Sequence, residues 1–380
     1  MKKPADYFSK NWGDATVSFV AEASSLGTVK WQKHPESKFH IPYISLGNGA
    51  DKVVINSGVH GAEGYFGSAA QLMIIRELIP NLPAEFFKKY TLGLIHVING
   101  WGMENGMREV MDANGGLVDL NRNFCIDFSK PESLPQNELY KQAHDILMSS
   151  PKPINGVSKY DRLRIFRKEH PDVWAAISRG QYYEPLGLFY GGSYALPENH
   201  MTLAIYDEIM KDAASLTSIG LHTGVGRYYT GYGKTDKSLL VSHPLEHENT
   251  QKFAQLAGDT AAIVPYDGPA LLGDLVDALE VRYEHMNIPV YTADFEVGTD
   301  ETPNRSRILK FMDRGNARYE MMAVKENKGK KTGQKRIKTE TARNLLLGWH
   351  YADDEVWQES ALNNSHRFFE EVFKNLQKTL

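Results

Sequence analysis

Lys52-Val53-Val54-Ile55-Asn56-Ser57-Gly58-Val59, followed directly by His60-Gly61-Ala62-Glu63, is the stretch from which the fold is read. A β-branched apolar run that stops at a glycine has the signature of a buried strand, and the polar residues after it fall where the chain turns toward a helix. His60 and Glu63 can address one centre if the backbone turns between them, and Gly58, Gly61 and Gly64 make that turn easy. A neutral imidazole and a carboxylate are two of the three protein ligands that a catalytic zinc needs. The pattern His-x-x-Glu also arises by chance in many chains, so the decision falls to what lies around it.

Immediately downstream, residues 68–78 carry Ala69, Leu72, Met73 and Ile75 at helical spacing and stop before Pro80 and Pro83. Residues 90–99 are again strand-like, with Leu92, Leu94, Ile95, Val97 and Ile98. Strand, helix and strand in succession predict a parallel βαβ unit. The His60 loop then lies at the carboxyl end of its strand, where open α/β sheets place their sites. Upstream, a short helix and a strand over 39–47 form an opening segment, in which His34 and His40 read as surface or structural residues.

The second strand leads through Asn99-Gly100-Trp101-Gly102 and Arg108 to Asp119-Leu120-Asn121-Arg122-Asn123-Phe124. These charges and amides are either a solvated loop or a carboxylate receiver. In the second case Arg122 offers a planar fork for bidentate pairing and Asn121 a neutral donor. Residues 216–221 form another short strand that ends at His222-Thr223-Gly224, repeating the arrangement at His60. A buried, satisfied histidine is the ordinary reading of one such residue. Two such strand ends in one α/β chain favour a metal, for which His222 supplies the missing ligand. Residues 289–299 form a strand with Asp294 and Glu296 among apolar residues. A buried, charged and unpaired acid costs several kcal/mol, so Glu296 needs a partner such as an activated water, or else faces solvent on the side it shares with Asp294.

Composition narrows the function classes. The chain has 380 residues, 42% hydrophobic and 24% charged, the balance of an ordinary globular protein. A formal net charge of -4 argues against nucleic acid or anionic membrane as partner. The N-terminus lacks the apolar core of a secretory signal, and no stretch approaches the roughly 18 apolar residues of a membrane span, so a cytoplasmic location is expected. Cys125 is the only cysteine, which excludes an internal disulfide and a thiolate zinc cluster; it reads as a small buried residue rather than a nucleophile.

No linker or repeat divides the chain, so residues 1–380 are expected to form one domain. Within it lie a tyrosine- and charge-rich insertion over 125–215, with helices at 138–148, 173–177 and 203–213, and a C-terminal helical extension. The segment Gly187-Leu188-Phe189-Tyr190-Gly191-Gly192 reads as a rigid loop that either packs on the surface or lines a pocket. Helices are expected at 305–323 and 356–376, with a solvated basic loop over 325–338.

Taken together, His60-x-x-Glu63, the Asp119 to Phe124 stretch, Leu221-His222-Thr223-Gly224 and Phe295-Glu296-Val297-Gly298-Thr299 resemble the zinc carboxypeptidase superfamily. The closest likeness is to a bacterial branch related to succinylglutamate desuccinylase and aspartoacylase, and it covers roughly residues 50 to 300. The resemblance implies an α/β fold with a mostly parallel, twisted, eight-stranded sheet and helices on both faces. It implies one zinc held by His60, Glu63 and His222, with Glu296 as general base and acid and Arg108 polarising the scissile carbonyl. Asn121 and Arg122 would hold a substrate carboxylate. The implied activity is hydrolysis of an amide bond next to a free carboxylate, on a small peptide or an N-acyl amino acid. A ligand-binding protein on the same scaffold is the alternative. The insertion departs from digestive-type members, and no substrate-touching tyrosine is placed, with Tyr228, Tyr229 and Tyr232 as candidates.

Overall fold

A computed structural model describes residues 3–130, 132, 134–224, 238–242, 247–265, 273–299, 303–326 and 346–380. The strands are β1 (Lys30–Gln32), β2 (Ile41–Leu46), β3 (Asp51–Ser57), β4 (Tyr90–Ile95), β5 (Val110–Met111), β6 (Leu117–Val118), β7 (Ser215–Thr223), β8 (Ser238–Ser242), β9 (Ala261–Pro265) and β10 (Val290–Val297). All but the small β5-β6 ribbon join one eight-stranded sheet in the order β1-β2-β4-β3-β7-β10-β8-β9. The central run β4-β3-β7-β10 is parallel throughout. Antiparallel strands flank it: β2 on β4, and β8 on β10.

Alternation along the central strands divides the core into two apolar layers, as the two-residue period of a strand requires. Val53 and Ile55 of β3 face one layer with Ile219, Leu221 and Phe295, under helices Trp12–Ala23, Gly64–Met73 and Glu355–Gln377. Val54, Ile95 and Leu216 face the other, under helices Pro197–Ile209 and Leu275–Tyr283. The last helix lays Trp357, Phe368, Phe369, Phe373 and Leu376 into the first layer, and the Phe368 ring stacks on Phe295 with centroids 4.4 Å apart. Residues of the insertion form a separate apolar cluster of Tyr140, Leu147, Leu163, Trp174, Ile177 and Phe189. It closes against Ile308 and Phe311 of helix Pro303–Glu326.

Several boundaries differ from expectation for local reasons. The helix after His60 starts at Gly64 rather than at Ser68, and widens into a π-turn over Ile74–Leu78. Strand β4 stops at Ile95 rather than at Asn99, because Val97 takes a left-handed φ of 26°. Strand β7 runs on to Thr223, so His222 lies inside the strand and not beyond it. In the insertion, helix Lys159–Glu169 was not anticipated, and Pro197–Ile209 begins earlier than the expected start at Leu203. Cys125, expected to be buried, is exposed at a φ of 50°. Its thiol still donates to the Ala278 carbonyl at 3.7 Å, and partial burial of the sulfur raises its pKa, which makes it a poor nucleophile. The helix expected at 305–323 spans Pro303–Glu326, so the first residues of the expected basic loop are helical, while residues 327–338 lie outside the described residues.

Candidate metal centre

The carboxyl ends of β3, β7 and β10 lie side by side, with Ser57 opposite Leu221 and His222 opposite Glu296. From β3 the chain turns through Gly58 at a φ of 65° and then through the tight 3-10 turn Gly61–Glu63. The turn is pinned from one side. Gly61 and Ala62 donate their backbone N–H groups to the Arg108 and Met107 carbonyls. Asn99 holds the same loop by donating Nδ2 to the Arg108 carbonyl and accepting from Gly102 N. A Cβ at Gly61 would lie 2.3 Å from the Gly102 backbone, so only glycine allows the two segments to meet. This contact turns His60 and Glu63 to one side and brings Arg108 beside them.

His60, Glu63 and His222 are buried, with exposures of 4%, 1% and 4%. His60 Nδ1 lies 3.1 Å from Glu63 Oε1, His222 Nδ1 lies 2.9 Å from Glu63 Oε2, and the two Nδ1 atoms are 3.2 Å apart. Two donors each about 2.0–2.1 Å from a tetrahedral zinc are about 3.3 Å apart, the spacing of the two Nδ1 atoms, and one Glu63 oxygen approaches each of them. They are the one group of three or more His, Cys, Asp or Glu side chains with metal-compatible spacing among the described residues. The remaining ring nitrogens lie near carboxylates, where metal-binding histidines commonly have their outer partners: His60 Nε2 is 3.4 Å from Asp119 Oδ1 without a formed hydrogen bond among the described residues, and His222 Nε2 is 3.3 Å from Asp294 Oδ1.

Electrostatics point the same way. Burial opposes the charge on Glu63, but His60, His222 and His350 outweigh it and hold the carboxyl well below the usual range. Burial likewise opposes the charge on Asp119, and Arg108 and His60 keep it ionised. His222 is held well above its ordinary value despite burial, because Asp294 and Glu63 face it, so the pocket favours a cation. Glu296 differs: burial, helped by Glu63 and Asp294 and opposed by His222, pushes it up to about 8, and its Oε2 is buried without a hydrogen-bond partner among the described residues.

The structure brings five of the seven expected site residues together. Arg108 donates Nε to Asp119 Oδ2 at 3.0 Å, and its Nη1 lies 3.0 Å from His60 Nδ1 and 3.3 Å from Glu63 Oε1. With it stand His60, Glu63, His222 and, on the neighbouring strand, Glu296. Asn121 and Arg122 follow Asp119 but are engaged with the chain. Asn121 Oδ1 accepts from Leu275 N, while Arg122 donates Nε and Nη2 to the Ser178 carbonyl and Nη1 to its neighbour's carbonyl. Tyr228, Tyr229 and Tyr232 lie outside the described residues.

Two residues were missed. His350 Nδ1 lies 3.0 Å from Glu63 Oε1, and Arg314 Nη2 lies 2.7 Å from His350 Nε2. Burial takes His350 down to about 4, so the ring is neutral. Neither residue sits at a strand end or in a glycine-flanked turn, and no local signal marks either.

With this geometry in hand, comparison with known proteins places the chain. The family model described as Protein of unknown function (DUF2817) matches residues 8–364. The protein belongs to that family. No curated protein matches it in sequence. Among solved structures, bovine thrombin-activatable fibrinolysis inhibitor in complex with tick carboxypeptidase inhibitor is similar at 11% identity and a TM-score of 0.54, with 98% of each chain covered. That likeness establishes a carboxypeptidase-like fold for this member of the family. A putative succinylglutamate desuccinylase / aspartoacylase family protein from Shewanella amazonensis aligns at 15% identity over 78% of this chain and 71% of its own, with a TM-score of 0.37. Carboxypeptidase A from Helicoverpa armigera aligns at 12% identity over 84% and 74%, with a TM-score of 0.45. Neither of these two supports a conclusion about this chain. No described helix is long and apolar enough to cross a membrane.

Proposed function

We propose that the protein is a zinc-dependent hydrolase of an amide bond adjacent to a free carboxylate. The observation that carries this reading is the convergence of His60 Nδ1, His222 Nδ1 and the Glu63 carboxylate within 2.9–3.2 Å of one another, with Glu296 on the adjoining strand. His60, Glu63 and His222 would hold the ion, and a bound zinc supplies Lewis acidity and a water of lowered pKa. Glu296 is the proposed proton carrier: as a carboxylate it can take a proton from the attacking water, burial raises its affinity for that proton, and it then releases the proton to the leaving amine. Arg108 stays charged because Asp119 and Glu63 offset its burial, and it stabilises negative charge that develops on the carbonyl oxygen. Asp119 and Asp294 keep both imidazoles turned with Nδ1 inward.

Asn121 and Arg122 remain the residues proposed for the substrate carboxylate. The carboxylate would replace the Ser178 carbonyl as the acceptor of Arg122 Nε and Nη2. Both a C-terminal peptide residue and an N-acyl amino acid present the required group. Zinc-loaded protein assayed on both substrate classes side by side tests the reading. Glu296→Gln is expected to bind zinc as the parent does and to lower kcat by about 10²- to 10⁴-fold, the range of general acid-base catalysis. A variant that binds zinc and keeps full turnover removes the proposed base.

A further inference from the structure

We propose that His350, oriented by Arg314, is a positioning residue that fixes the Glu63 carboxylate for metal binding. The inference rests on the metal reading of the His60, Glu63 and His222 group. Arginine has only donors, so Arg314 Nη2 at 2.7 Å makes His350 Nε2 the acceptor. A ring that accepts at Nε2 carries its proton on Nδ1, the atom that lies 3.0 Å from Glu63 Oε1. The second carboxylate oxygen accepts from Thr223 N at 3.1 Å. Oε2 of Glu63 thus accepts a backbone hydrogen bond while Oε1 has the His350 Nδ1 in close contact, two restraints from outside the donor group on the carboxylate.

His350 itself is held from several directions. Thr223 Oγ1 donates to its backbone carbonyl, which ties it to the strand that carries His222. Gly224, at a φ of 102°, leaves the space a side chain would take, since a Cβ there would lie 3.3 Å from His350 Nδ1. Arg314 comes from helix Pro303–Glu326 and lies 5.5 Å from the centroid of the Phe189 ring. It is 7% exposed and makes no ion pair among the described residues, so its charge is directed at the imidazole. The metal-compatible donor group is complete without His350, so the residue supports a ligand and is not one itself.

Zinc affinity, measured by competition against a chromophoric chelator, tests this without reference to turnover. The melting temperature of the metal-free protein serves as the fold control. His350→Ala is expected to weaken zinc binding about 10- to 100-fold, the usual cost of losing an outer partner of a ligand. Arg314→Met is expected to weaken it as well, because the freed ring can turn its lone pair toward the carboxylate. His350→Asn, whose amide can accept from Arg314 and donate to Glu63, is expected to bind within a few-fold of the parent. Parental affinity in both His350→Ala and Arg314→Met, or His350→Asn no tighter than His350→Ala, overturns the proposal. If His350→Ala does not fold, the comparison of His350→Asn with Arg314→Met decides. A parent protein that binds no zinc would instead overturn the metal reading on which this stands.

Discussion

At the scale of single residues, the buried polar groups are the places where chemistry and stability can be separated. Gln71 reaches from its helix to the carboxyl ends of β3 and β4, donating Nε2 to the Ile55 and Ile95 carbonyls. Its Oε1 lies 3.2 Å from His96 Nδ1, and the His96 ring stacks on Phe19 at 4.4 Å. Burial lowers the His96 pKa from 6.5 to about 3. As pH falls the unfolded chain binds this proton first, so the stability from a neutral His96 is full above 6.5 and is lost between there and about 3. The loss proceeds at up to about 1.4 kcal/mol per pH unit. His96→Leu is therefore expected to lose about 2 kcal/mol less than the parent between about pH 7 and pH 5, read from urea midpoints at both values. Gly61→Ala is expected to weaken zinc binding and lower the melting temperature together, because its Cβ would displace the Gly102 backbone and with it the turn joining two ligands. Arg122→Met removes three donors from two carbonyls, Asn121's buried and Ser178's partly buried, and is expected to cost about 1–2 kcal/mol of stability; unchanged denaturation midpoints would assign its donors elsewhere. The proposed ligands were marked in the sequence because His60 and His222 each come late in an apolar run with a glycine within two positions, and Glu63 follows His60 after one tight turn. Asp119 and Asp294 were visible as residues but not as supports, since the ring nitrogens they face are fixed only by the fold. His350 and Arg314 were invisible, because their relation to Glu63 spans more than 250 positions of sequence.

At the scale of elements, the central strands were readable because burial on both faces removes polar residues from them, leaving runs such as Val53-Val54-Ile55. Helix Lys159–Glu169 was not, because its sequence LysTyrAspArgLeuArgIlePheArgLysGlu buries only Lys159 and Leu163. Its place is fixed by Lys159, which donates to the Leu147 and Ser149 carbonyls and to Asn316 of helix Pro303–Glu326, contacts that no periodicity reveals. The closing helix Glu355–Gln377 was legible from its apolar stripe, and that stripe covers the strand that carries Glu296. Phe368→Ala is expected to destabilise the fold by about 3–5 kcal/mol, the cost of a cavity left by a buried aromatic ring. Calorimetry checks the size of the loss. A loss below about 1 kcal/mol would mean that the helix does not hold β10 in place.

At the scale of the whole molecule, a ligand that binds only the folded state stabilises it by mass action. Free zinc at about 100 times its dissociation constant is expected to add about 2.7 kcal/mol, removable by a chelator; melting curves with and without zinc measure it. The layered organisation also sets an order of events in biosynthesis. The side chains proposed to hold the ion lie within the first 222 residues, whereas Glu296 sits on a strand whose partner ring is Phe368, and the proposed support for Glu63 arrives at position 350. A nascent polypeptide therefore displays His60, Glu63 and His222 well before Glu296 is seated and His350 is made, so a centre of the proposed kind is assembled late in synthesis.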